Sequence, residues 1–191
     1  MKKLIALLLT LAMMVCFAAC GGEEKPAEGD KNTTQNTPGT VEEIDGETYD
    51  AGNVSVQVPD GWKAFPVSDM WSEDSTATDP DQVNVVKGGE TEFDLLSKPY
   101  IQIVHYEPNS MITPSKDYYD TAEDVAPITT GNLTWEGFQA EGMLGDTFIL
   151  LWTTNADGHQ FQVNVFNETD GGTITLDDAD VQAILASISN S

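Results

Sequence analysis

The hydrophobic pattern divides the chain into three parts. Residues 4–17 are apolar apart from Thr10 and follow Lys2 and Lys3. Residues 22–48 have no period: Pro, Gly, Thr, Asn and Glu dominate, and no large apolar residue precedes Val41. From Tyr49 the pattern alternates. Val54, Val56 and Val58 are separated by Ser55 and Gln57, the period of two of a half-buried strand. Pro59-Asp60-Gly61 then turns the chain. Trp62, Phe65 and Val67 predict a second strand; Pro66 either weakens that reading or places the strand on a sheet edge. Residues 82–87 predict a short strand stopped by Gly88-Gly89, and Phe93, Leu95 and Leu96 form an apolar patch before Pro99. Residues 100–106 predict a central strand: Ile101, Ile103 and His105 share one face, Tyr100, Gln102, Val104 and Tyr106 the other.

Farther along, Thr113-Pro114 reads as a helix start, with Thr as N-cap, Pro at the first position and Asp117 in the first turn. Tyr118, Ala122 and Val125 would form its stripe, and Pro127 would end it. Residues 132–143 predict a strand bent at Gly137 and Gly142. A three-residue loop, Leu144-Gly145-Asp146, would set Phe138 and Ala140 opposite Trp152 and Leu150. Asp157-Gly158 reads as a two-residue hairpin turn between residues 148–154 and 160–166. That register pairs Trp152 with Val163, Leu150 with Val165 and Thr154 with Phe161, and points Leu150 and Trp152 inward. A closing helix starts at Asp177 as N-cap, with Leu176 and Val181 as a hydrophobic staple. Its buried stripe is Val181, Ile184, Leu185 and Ile188. The predicted fold class is α+β: an antiparallel β-sheet with one inserted helix and a C-terminal helix packed on it.

The basic start and apolar run have the form of a secretory signal, too short to span a bilayer. Phe17-Ala18-Ala19-Cys20 resembles a bacterial lipobox. That resemblance implies diacylglyceryl transfer to the Cys20 thiol and cleavage just before it, making residues 1–19 a signal peptide. Cys16, the only other cysteine, falls in the removed segment, so no disulfide is expected. Two acyl chains anchor stably, so the expected location is the extracytoplasmic face of a bacterial membrane, held by the lipid. Residues 20–48 are then the lipidated cysteine and an acidic, disordered linker that acts as a tether.

The chain carries a net charge of −24; losing the two signal lysines makes it −26. It contains no arginine. This argues against nucleic acid, because phosphate neutralisation uses Lys and Arg. An acidic surface keeps an exported domain soluble, and it also favours cations or a basic partner face. The cluster Glu42, Glu43, Asp45 and Glu47 reads as a solvated run or a cation site.

Catalytic motifs are missing: there is no Gly-x-Ser-x-Gly elbow, His-Glu-x-x-His helix, P-loop, dinucleotide fingerprint or Cys-x-x-Cys pair. The stretch around Asp157 fails as a calcium loop, since position 12 is Asn164. His105 reads as a satisfied histidine in the core or at a sheet edge, and His159 as an exposed residue beside a turn. They lie in different strands with no ligand spacing, so no metal or cofactor is expected. The polar segment from Asp69 to Pro80 has Met70 and Trp71 as its bulky apolar residues. It is a candidate functional loop, unless Trp71 packs on the sheet edge. Met70, Trp71 and His105 are therefore the candidate binding residues.

Val54-Ser55-Val56-Gln57-Val58-Pro59-Asp60-Gly61-Trp62 resembles the opening of the Mog1/PsbP-like fold, a strand followed by Pro-x-Gly-Trp. Residues 98–103 resemble a middle strand of such proteins. Residues 173–176 and 178–188 resemble the closing strand and helix of small lipoproteins with this fold. The resemblance covers residues 49–191 and rests on structural motifs, so it transfers no catalytic residue. It implies a non-enzymatic binding or scaffolding role. The expected function is a surface-tethered, monomeric module for a protein or peptide partner. The alternatives are a divalent-cation (Ca²⁺) binding or adhesion module and a carboxylate-based hydrolase.

Overall fold

The structure, a computed structural model, describes residues 44–142 and 146–191. The signal, Cys20 and the linker up to residue 43 lie outside the described residues. In chain order the elements are β1 (Gly46–Asp50), β2 (Val54–Pro59), β3 (Trp62–Ser68), β4 (Thr78–Lys87), β5 (Tyr100–Tyr106), β6 (Glu123–Thr130), β7 (Leu133–Glu141), β8 (Thr147–Thr154), β9 (Gln160–Thr169), β10 (Gly172–Thr173), α1 (Ala179–Ser187) and β11 (Ser189–Asn190). Short 3₁₀ turns occupy Glu92–Leu96 and Lys116–Tyr118. The large sheet has the order β3-β4-β5-β9-β8-β7-β6, with β10 as a hairpin extension of β9; a small sheet has the order β1-β2-β11. Every pairing is antiparallel. The fold is α+β with a single α-helix among the described residues.

Alternation builds the core. One face of the large sheet presents Val83, Val85, Ile101, Ile103, Trp135, Ile149, Leu151, Phe161, Val163 and Val165. Val54, Val56 and Val58 of β2 and Val181, Ile184 and Leu185 of α1 join them in one buried cluster. Burying each such aliphatic side chain contributes roughly 1.5–3 kcal/mol. The indole N–H of Trp62 donates to Asp180 Oδ2 at 3.0 Å, tying β3 to the first turn of α1. As Pro66 requires, β3 is an edge strand. As its two apolar faces require, β5 is an interior one. The first strand starts earlier than the pattern suggests: β1 takes in Gly46, Glu47 and Thr48, and Gln57 donates to the Ile44 carbonyl.

The inserted helix expected at residues 113–125 is not formed. Ser115 Oγ accepts from the Asp117 N–H and closes one 3₁₀ turn, after which Tyr119 is extended at φ −128°, ψ 122°. Tyr119 and Ala122 pack on Phe138 and Phe148 instead. Residues 123–130 then pair with β7 as the edge strand β6, and Pro127 sits where the register shifts, between Val125 and Ile128. A helix this short is marginal without tertiary support, and the apolar face of β7 supports a strand.

The hairpin registers also differ from expectation. Trp152 pairs with Gln162, not Val163; Leu151 pairs with Val163 and Ile149 with Val165. A two-residue turn of the expected type needs two positive φ angles, and here only Gly158 has one, at 90°. The Asn155 N–H donates to the His159 carbonyl and the Gly158 N–H to the Asn155 carbonyl, which widens the turn by one residue. A one-residue slip exchanges the faces. Ile149 and Leu151 therefore face the large core, while Leu150 and Trp152 join Phe138, Ala140 and Phe148 on the opposite face. In the preceding hairpin Phe138 pairs with Leu150 and Ala140 with Phe148, two residues from the expected register but on the expected common face. The closing helix keeps its predicted stripe. Its cap is Asp178, one residue later than expected, and the Asp178 carboxylate accepts from the Thr175 N–H and hydroxyl.

Candidate functional site

Three strand ends meet at one end of the large sheet and bring polar groups together there. His105 is the last inward-facing residue of β5, following Ile101 and Ile103, so its ring lies in the buried layer. In the β5–β9 register His105 faces Phe161, two residues beyond His159. The β8–β9 turn orients His159 because its N–H donates to Asn155 Oδ1 at 3.0 Å. Asn155 Nδ2 in turn donates to Asn190 Oδ1 on β11. Asp81 stands within β4, just before the apolar part of that strand.

The resulting chain runs Asp81–His105–His159. His105 Nδ1 lies 2.7 Å from Asp81 Oδ1, and His105 Nε2 lies 2.9 Å from His159 Nδ1. An ionised carboxylate only accepts, so the Asp81 contact takes the Nδ1–H of His105, and in the neutral ring Nε2 is then the nitrogen that carries the lone pair. Asp81 is itself held by Asn53 Nδ2, which donates to the same oxygen at 2.9 Å. The two imidazoles stack with centroids 5.1 Å apart, and Phe161 closes the other side of His105 at 5.6 Å. Glu107, just past β5, brings Oε2 to 4.0 Å from His159 Nδ1. The donor atoms of His105, Glu107 and His159 all lie within 4.8 Å of one another.

The sequence places the two histidines in different strands with no ligand spacing, and the structure joins them. They are the chain's only histidines. The reading of His159 as exposed is also corrected, because its side chain retains only 22% exposure. No spacing rule marks the pair. Its formation depends on β9 lying beside β5, although β6, β7 and β8 come between them in sequence.

The loop between β3 and β4 is a separate feature. The Trp71 N–H donates to Asp69 Oδ1, the Thr76 N–H and hydroxyl both donate to Asp74 Oδ1, and the Asp69 N–H donates to the Ala77 carbonyl. Those two Thr76 bonds hold the Asp74 carboxyl below its ordinary value. Trp71 does not pack on the sheet edge: it is 96% exposed, and Met70 is 89% exposed. No hydrogen bond or ring contact among the described residues links either side chain to His105, so the three candidate residues fall into two places. Cys20 lies outside the described residues.

No protein-family model matches this chain, and no curated protein matches it.

Proposed function

We propose that the chain is a bacterial lipoprotein, tethered through Cys20 to the extracytoplasmic face of the membrane. Its α+β domain, of the Mog1/PsbP-like kind, is a non-enzymatic module that binds a protein or peptide partner through the loop between β3 and β4. The observation that carries this reading is Trp71: a tryptophan 96% exposed on a loop braced by its own hydrogen bonds. A preorganised loop binds with less ordering cost. An aromatic anchor is the residue type that dominates interface energetics. The strand–turn–strand at residues 54–68 and the helix after Ile174 support the fold assignment. The charge of −26 favours a partner face rich in lysine or arginine.

A photo-crosslinking residue at position 71 in intact cells tests the partner. The expected result is a discrete product absent when the same residue replaces Glu136, an exposed position on β7. No product at position 71, or the same product from both positions, overturns the assignment. For the anchor, Cys20→Ala is expected to leave the precursor uncleaved. Unchanged processing refutes lipidation.

A further inference from the structure

We propose that His105, His159 and Glu107 form a binding site for one divalent transition-metal ion of the zinc class, with Asp81 as the residue that orients it. Zinc binds histidine nitrogen and carboxylate oxygen at about 2.0–2.2 Å. Tetrahedral ligands at that radius stand roughly 3.3–3.5 Å apart. The donors here bracket that spacing: His105 Nε2 to His159 Nδ1 is 2.9 Å, and His159 Nδ1 to Glu107 Oε2 is 4.0 Å. An ion entering between them replaces the histidine–histidine hydrogen bond. On those two distances the imidazoles part by about 0.4 Å and the carboxylate closes on His159 by roughly 0.6 Å, while the His105–Glu107 pair starts within 4.8 Å. Glu107, with 72% of its side chain exposed, has the most room to move, while His159 follows the β8–β9 turn with 22% of its side chain exposed. His105 stays fixed, buried against Phe161.

Asp81 gives His105 the surroundings of a metal ligand. A metal-ligating histidine characteristically donates its other ring N–H to a carboxylate, which sets the tautomer and the ring orientation. His105 is already arranged this way, with Nδ1 on Asp81 and Nε2 aimed at the other two donors. Asn53 holds the carboxylate in turn. Two imidazole nitrogens with one carboxylate suit zinc, copper or nickel. Calcium takes oxygen ligands, so this site differs in kind from the Ca²⁺ site considered from charge alone. Three protein donors leave a fourth position for water or an outside ligand.

The test uses the purified full chain freed of metal with a chelator, titrated with Zn²⁺ by calorimetry and with Co²⁺ by visible absorption. One equivalent is expected to bind with a dissociation constant on the order of micromolar or tighter, with a tetrahedral Co²⁺ band. His159→Gln is expected to weaken binding by about a hundredfold and Glu107→Gln by about tenfold. Glu107 is exposed, so Glu107→Gln is expected to leave the metal-free melting temperature unmoved; His159→Gln removes the hydrogen bond to His105 Nε2, so its metal-free melting temperature is measured to establish that it folds. Asp81→Asn, a change to a positioning residue, is expected to weaken binding by roughly 10–100-fold while keeping the stoichiometry. Failure of the wild-type chain to bind Zn²⁺ overturns the proposal. So does His159→Gln binding as tightly as wild type, which would put the ion on carboxylates elsewhere. Displacement of Zn²⁺ by millimolar Ca²⁺ would likewise refute a nitrogen-liganded site.

Discussion

Thr130 and Trp135 offer a direct test of the edge strand that replaces the expected helix. Thr130 ends β6, Trp135 lies in β7, and both are buried, at 1% and 0% exposure. The indole N–H donates to the Thr130 hydroxyl at 2.9 Å. Thr130→Val keeps the shape and removes the acceptor, leaving the indole N–H sealed from water. An orphaned buried donor costs about 1–3 kcal/mol. In a domain of this size each kcal/mol lowers the melting temperature by about 2–4 °C, so a fall of roughly 2–12 °C is expected. Trp135→Phe removes the donor, strands the hydroxyl and also loses ring packing. The double variant leaves neither group unpaired, so it should be less destabilised than the sum of the single changes by about 1 kcal/mol. Urea unfolding followed by far-ultraviolet circular dichroism reads this cycle without relying on the tryptophan being changed. Additivity within about 0.3 kcal/mol would refute the pairing, and with it the registration of β6 on β7.

Two further predictions follow from the packing and from the charges. Ile184, on α1, has 0% exposure beneath β2 and the large sheet. Ile184→Ala should cost about 2–5 kcal/mol in equilibrium unfolding, and a loss under about 1 kcal/mol would mean that α1 does not cap the core. Asp94 braces the segment between β4 and β5. The N–H groups of Thr91 and Glu90, and then Lys98, hold its carboxyl down at about 2. With the folded value below the unfolded one, this contribution is full above about pH 4 and is lost as pH falls toward 2. Asp94→Asn should therefore differ from wild type in stability above pH 4 and converge with it below about pH 2. A difference that stays constant across this range would refute the linkage.

The periodic pattern determined which segments are extended, and it placed the tail helix by its buried stripe. Val54, Val56 and Val58, Ile101 and Ile103, and Val181, Ile184, Leu185 and Ile188 are all core residues, as the pattern required. Local rules suffice there because each segment must turn one apolar face from water, and the period reports which face. Residues 113–130 show where that logic ends. Thr113-Pro114 and the spacing of Tyr118, Ala122 and Val125 satisfy helix rules, but the partner that decides the matter is the exposed edge of β7. The turn at Asn155 is similar. Asp157-Gly158 reads as tight, but the Asn155 side chain accepts from the N–H groups of Asp157 and His159 and widens the turn. A single residue there moves Leu150 and Trp152 to the other face. The histidine pair was beyond any local rule. Its distances come from strand order, through β9 lying against β5, and strand order is a property of the packed sheet, not of either strand.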